Sequence, residues 1–246
     1  SFGLEIKPNI IIHCASSASV SFSLENPGLD FLRTVNSTLA VLEFIRLYSL
    51  DTRLVLPSSA AVYGTSSHLP LNIRTPLHPV SPYGLHKKFT EELCLSYGQL
   101  FGVQSSIVRL FSVYGVGLRR QLLWDAANKL YSGNNLFDGT GLETRDWLHV
   151  SDAANLLLLS SQHAAFPPTV INGGTAVRTS IHDVVSTISR CIPGACLPIF
   201  SGNIRIGDPQ DLVADITEAT QLGWKPEHHL LKGISDYVNW FLASLQ

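Results

Sequence analysis

Arg53-Leu54-Val55-Leu56-Pro57-Ser58-Ser59-Ala60-Ala61-Val62-Tyr63-Gly64 decides the fold class. A short apolar run ends in small residues, as a buried strand does when it runs into a loop beside a ligand. Pro76, Pro79 and Pro82 then hold an extended approach, and from Tyr83 the apolar residues Phe89, Leu93, Tyr97 and Leu100 recur at helical spacing until Gly102. Residues 105–111 (Ser-Ser-Ile-Val-Arg-Leu-Phe) form the next strand. Upstream, Ile10-Ile11-Ile12-His13-Cys14-Ala15 is a continuous apolar run suited to a strand buried on both faces. Residues 29–47 repeat Leu32, Val35, Leu39, Leu42 and Ile45 or Arg46 along one helical face. Strands alternating with helices predict an α/β fold with a mostly parallel sheet. Further helices are expected over residues 152–162, 180–191 and 236–245.

The bulk properties bound the function. With 246 residues, 45% hydrophobic and 15% charged, the chain has the makings of a large packed core. A net charge of −2 without a basic run argues against nucleic acid as a partner. No run of eighteen apolar residues stands for a membrane span. Cys14, Cys94, Cys191 and Cys196 form no Cys-x-x-Cys pair, so reduced thiols in a cytoplasmic protein are expected. The chain begins with Ser and contains no Met, which points to a fragment of a longer chain.

The residues that could carry chemistry centre on Tyr83-Gly84-Leu85-His86-Lys87. Residues four apart share a helical face, so a lysine there can hold its ammonium near a phenol and favour phenolate. A surface tyrosine beside a solvated lysine fits the same five residues. Ser59 ends the preceding strand, where a hydroxyl can face the same pocket or simply serve a turn. Arg145 and Arg205 lie near loops and glycines and could clamp a diphosphate; ion pairs with Asp146 and Asp208 would satisfy them equally. His86 and His149 read as structural or solvated, and His228-His229 as a polar loop without partners at ligand spacing. No metal site is expected. Neither Gly-x-Ser-x-Gly nor Gly-x-x-x-x-Gly-Lys occurs, which removes the α/β-hydrolase and triphosphatase readings.

Taken together, the strand, Ser58-Ser59-Ala60-Ala61-Val62-Tyr63-Gly64 and Ser81-Pro82-Tyr83-Gly84-x-x-Lys87 resemble the extended short-chain dehydrogenase/reductase family. The likeness is closest to its nucleotide-sugar epimerases of the UDP-glucose 4-epimerase kind. Residues 11–15, 108–115, 144–150 and 205–209 resemble further family segments. The resemblance implies a Rossmann-like doubly wound parallel sheet over residues 1–115 and about 146–174. A smaller substrate lobe would occupy about 116–145 and 175–246. It implies catalytic Ser59, Tyr83 and Lys87. NAD would contact His13, Cys14, Ala15, Ser16, Tyr83, Lys87, Leu110 and Phe111. A nucleotide-diphosphate sugar would contact Ser112, Gln121, Arg145, Arg205 and Asp208. A homodimer through helices over residues 26–47 and 83–102 is also implied.

The family's Gly-x-x-Gly-x-x-Gly segment is missing, so an N-terminally truncated sheet, holding NAD weakly on its own, is expected. Ser112 stands where the epimerases often carry Asn. Ala60-Ala61 stand where related dehydratases carry Asp-Glu, which leaves no acid to eliminate water; a nucleotide-sugar dehydratase, reductase or decarboxylase of the same family is the nearer alternative to 4-epimerisation. A non-catalytic sugar-nucleotide scaffold is the rival of another class.

Overall fold

A computed structural model describes residues 7–17, 19–203 and 211–245. Four parallel strands make its central sheet: β1 (Ile10–Ile12), β2 (Arg53–Ser59), β3 (Ser105–Leu110) and β8 (Thr169–Gly173), side by side in the order β1-β2-β3-β8. Alternate residues of each strand enter opposite cores. Leu54, Leu56 and Ile107 pack with Leu42, Ile45, Cys94 and Val103 on one face. Val55, Val108 and Ile171 pack with Leu148, Leu156 and Trp224 on the other. Covering both faces in this way is what a parallel sheet requires. The first face is covered by α3 (Ser37–Tyr48) and α4 (Pro82–Phe101), the second by α6 (Val150–Ser161) and α8 (Thr217–Gln221).

Two expectations need correction. β1 is shorter than the run 10–15 and is not buried on both faces; Ile10 is exposed. Among the described residues it pairs only with β2, so one side lacks a covering strand. The helix over residues 29–47 is three joined pieces: α2 (Pro27–Phe31), a π-helical turn (Leu32–Asn36) and α3. The wider turn rotates the buried stripe. Leu32 and Leu39 face outward, while Thr34, Val35, Thr38, Leu42 and Ile45 are buried.

A second core gathers α5 (Gln121–Tyr131), α7 (Ile181–Cys191) and α9 (Leu230–Ala243) around Tyr114 and Trp147. The last helix begins at Leu230, well before the expected residue 236. Gly233 weakens the helical signal there, yet a Cβ on it would meet the Tyr114 hydroxyl oxygen at 2.3 Å. The second core also takes in Phe137 of the short strand β5 (Leu136–Phe137), and between the cores run β4 (Ser112–Tyr114) and β7 (Trp147–His149), paired in parallel, and β6 (Thr144–Arg145), paired antiparallel with β9 (Thr179–Ser180).

Candidate active site

The carboxyl ends of β1, β2 and β3 face the first turn of α4. Ser81 caps that helix, its Oγ accepting from Gly84 N at 3.2 Å, and Pro82 presets the first helical φ. The turn lies so close to the end of β2 that a Cβ on Gly84 would stand 2.5 Å from the Ala61 carbonyl oxygen. Only glycine lets α4 approach the Ser59–Ala61 segment this closely. From the short helix α1 (Val20–Glu25), Ser23 Oγ accepts from Tyr83 N at 3.0 Å and fixes the turn from its other side.

The structure brings Tyr83, Ser59 and Lys87 together. Ser59 Oγ accepts from Ala61 N at 3.2 Å, so that bond does not use its own O–H, which is available to the Tyr83 phenol or to a ligand. Lys87 is buried, its Nζ 6.0 Å from the centroid of the Tyr83 ring. It donates to Ser16 Oγ at 2.8 Å and to the Pro57 carbonyl at 3.0 Å. The charge state differs from the simple expectation that Lys87 lowers the phenol. Burial pushes Tyr83 above its ordinary value, a hydrogen bond with Ser59 pulls it down, and the nearby Asp30 carboxylate raises it again. Burial lowers Lys87 to about 8, opposed first by Asp30.

Further along α4, Glu91 belongs to a buried network. It accepts from Ser58 Oγ at 2.5 Å and from Arg109 Nη2 at 2.8 Å and Nε at 3.1 Å. Arg109 also donates to Tyr63 Oη at 3.0 Å, and Tyr63 donates to Asn172 Oδ1 at 2.7 Å. One chain of bonds thus ties β2, α4, β3 and β8 beneath the site. His86 is structural: its Nδ1 lies 2.5 Å from Oδ2 of the fully buried Asp30.

The loop after β1 lines the adjoining space. His13 is buried, its Nε2 3.2 Å from Ser37 Oγ, and burial with the Lys87 charge lowers its titration. Cys14 and Ala15 are exposed and Ser16 half-buried against Lys87. The Ser17 hydroxyl oxygen is buried without a partner, and Lys87 has one N–H beyond its two bonds. This set of small residues, an orphan hydroxyl and a cation at strand ends fits the hydroxyl-rich ribose and carboxamide of a nicotinamide nucleotide. Leu110 ends β3 half-buried beside it, and Phe111 is buried against Tyr63.

Farther out, Ser112 N donates to the Asp146 carbonyl at 2.9 Å. Gln121 is exposed at the start of α5 with a φ of 66°. Arg145 is half-buried and donates to Thr144 O at 2.9 Å. Its sequence neighbour Asp146 is a structural acceptor, taking Thr175 N at 2.6 Å, Ala176 N at 2.9 Å and Ala214 N at 3.1 Å. Arg205 and Asp208 lie outside the described residues. His228 is better partnered than its loop position predicts. Its ring stacks on His149 at 4.1 Å, and its Nδ1 lies 2.8 Å from Asp152 Oδ1. Asp30 escaped the sequence reading, because nothing local marks a residue 53 positions before Tyr83.

Residues 2–174 match the family described as the NAD dependent epimerase/dehydratase family. The chain belongs to this family. It is 33% identical over 240 residues to a Methanocaldococcus jannaschii protein with a provisional name as a UDP-glucose 4-epimerase, covering 94% of this chain and 76% of that protein. A UDP-glucuronate 4-epimerase of Thermodesulfobacterium geofontis is 31% identical over 243 residues, covering 96% of this chain and 73% of its own length. The crystal structure of a UDP-glucose 4-epimerase with UDP-glucose from Thermotoga maritima superposes with a TM-score of 0.92. It covers 100% of this chain and 81% of that one; at 24% identity the likeness speaks for the fold.

Proposed function

We propose that the chain is a nucleotide-sugar 4-epimerase acting by transient oxidation at the sugar C4. The observation that carries this is the convergence of the Tyr83 phenol, the Ser59 hydroxyl and the Lys87 ammonium at the carboxyl ends of parallel strands. The names of the relatives support the choice of C4 and of a uridine nucleotide sugar.

When bound, NAD supplies a hydride acceptor and the positive charge of its oxidised ring. The protein's part is proton handling and orientation. Ser59 donates to the C4 oxygen through the O–H that Ala61 leaves free. Once ionised, Tyr83 takes the C4 hydroxyl proton and returns it to the C4 oxygen after the keto-sugar has turned its other face to the hydride. Burial raises the phenol, so before it can act as a base it must release its own proton to solvent, a loss that added positive charge nearby favours. Lys87 supplies part of that charge and one remaining N–H for a cofactor hydroxyl. His13, Cys14, Ala15, Ser16, Leu110 and Phe111 line the cofactor. Ser112, Gln121 and Arg145 contact the nucleotide sugar, Arg145 on its diphosphate; the family resemblance assigns Arg205 and Asp208, which lie outside the described residues, to the same ligand. A dehydratase acid is lacking at Ala60 and Ala61, which form a short 3-10 turn after Ser59.

A homodimer is part of the proposal. Leu24, Leu32, Leu95 and Leu100 stand exposed on α1, the π turn and α4, an apolar surface suited to a second copy. The free cysteines favour a cytoplasmic setting. Among the described residues, no helix is long and apolar enough to cross a membrane. Incubation with UDP-glucose and NAD, with the product read by NMR and mass, tests the function. The C4 epimer at unchanged mass is expected; a product lighter by one water would assign the chain to the dehydratase branch.

A further inference from the structure

Three residues along one stripe of α4 reach back to the end of β2. At Gly84 the helix lies against the Ala61 carbonyl. At Lys87 the ammonium donates to the Pro57 carbonyl at 3.0 Å. At Glu91 the carboxylate oxygen Oε1 accepts from Ser58 Oγ at 2.5 Å. Residues three, four and seven apart share a helical face. A single face of α4 therefore grips Pro57, Ser58 and Ala61, the residues on either side of Ser59. The first two contacts belong to the site already described. The third is a buried bond that the proton transfer above does not use.

Ser58 and Glu91 are both buried. Alternate residues of a strand share a face. Leu54 and Leu56 enter the core beneath α4, and Ser58 continues their side of β2. Its in-register neighbour on β3 is Arg109. Arg109 meets the same carboxylate through Nη2 at 2.8 Å and Nε at 3.1 Å. Glu91 thus sits over the seam between β2 and β3, with its charge answered by Arg109. The Ser58 hydroxyl is not needed for that balance. What it adds is direction: successive side chains alternate, so fixing how residue 58 is turned fixes where residue 59 projects.

We propose that Ser58 and Glu91 are positioning residues, whose bond holds the end of β2 against α4 so that the Ser59 hydroxyl is presented to Tyr83 and to the reacting oxygen. Ser58 acts through Ser59, one peptide unit away, whose Oγ is fixed from the other side by Ala61 N at 3.2 Å. Removing the Ser58 hydroxyl leaves the Glu91–Arg109 pair whole. Orientation of Ser59 can therefore be separated from what the network contributes to stability. The inference deepens the proton-transfer reading of Ser59 and rests on it for its consequence in turnover. One arm of its test reads the Ser59–Tyr83 hydrogen bond without turnover, so either can fail alone.

The experiment uses the whole chain labelled with ¹³C at tyrosine Cζ, the Tyr83 resonance being assigned from its loss in Tyr83→Phe. That carbon senses what the phenol oxygen is bonded to, and Ser59 is its hydrogen-bond partner. Ser59→Ala should shift the resonance, and Ser58→Ala should shift it in the same direction by less. With Ser59 already alanine, Ser58→Ala should leave it in place, because the residue it acts through is gone. In turnover of UDP-glucose with NAD, Ser58→Ala should lower kcat by about tenfold or more at unchanged KM. In the Ser59→Ala background the same change should lower kcat no further. Loosened packing gives a different pattern, an effect of equal size with and without Ser59. Should Ser58→Ala fail to fold, Ser58→Cys keeps the volume and weakens the donor, and the same pattern is expected. A Tyr83 resonance that Ser58→Ala leaves in place, or moves equally with and without the Ser59 hydroxyl, overturns the proposal.

Discussion

Helix α4 holds two charged sites within three turns, and they are built on opposite terms. At Glu91 the carboxylate meets Arg109 through two nitrogens and Ser58 through a hydroxyl. At Lys87 the ammonium donates only to neutral oxygens, Ser16 Oγ and the Pro57 carbonyl. Both sites are buried, so a difference in solvent cannot explain the contrast. The first arrangement uses charge to lock four elements together. The second leaves charge incompletely matched, which is where a protein places groups that must change protonation state. Removing charge should therefore have opposite consequences at the two sites.

The largest effect is expected at the reacting end. Tyr83→Phe should lower turnover by about 10²–10⁴-fold, the usual worth of a positioned acid–base group. Nucleotide-sugar affinity, measured on the same sample, should change little; undiminished turnover would take Tyr83 out of the chemistry. Next comes the matched pair. Arg109→Met leaves Glu91 buried and unpaired and should cost about 3–5 kcal/mol in urea unfolding. A loss near zero would mean the network is not the lock described here. Arg145→Ala should weaken UDP binding by about 1.5–3 kcal/mol in calorimetry. Equal affinities would leave Arg145 without a role at the diphosphate.

The smallest effect has the opposite sign. Lys87→Met should stabilise the fold at neutral pH, on the order of 1–2 kcal/mol after the lost hydrogen bonds are deducted. Lys87 is lowered in the folded state from 10.5 to about 8. The unfolded chain therefore binds more protons between those values, and the cost of burying the ammonium is fully present below about pH 8. It fades as pH rises toward 10.5. The stability gain of the variant should shrink across the same window, and a gain independent of pH would mean that packing, not charge, produces it.

How much of this could be read in the sequence follows from range. The alternation of strand and helix, and the placing of Ser59, Tyr83 and Lys87, rest on short spacings and were legible. Helix α5 carries a helical signal of its own in the spacing of Leu123, Ala126, Ala127 and Leu130. The start of α9 was obscured by Gly233, whose reason is the distant Tyr114 ring. The π turn, with Leu32 exposed and Thr34 buried, breaks the helical period it was expected to follow. Asp30 with His86, and Glu91 with Arg109, are pairings across the fold. No local pattern announces them.

The central claim is oxidation and reduction at the same carbon, and a labelled substrate tests it most directly. UDP-glucose carrying deuterium at C4 is incubated with the protein and NAD in ordinary water, and the epimer is examined by NMR. The account predicts that the epimer keeps deuterium at C4, because hydrogen leaves and returns as hydride without mixing with solvent. An epimer with its C4 deuterium replaced by solvent hydrogen would contradict it.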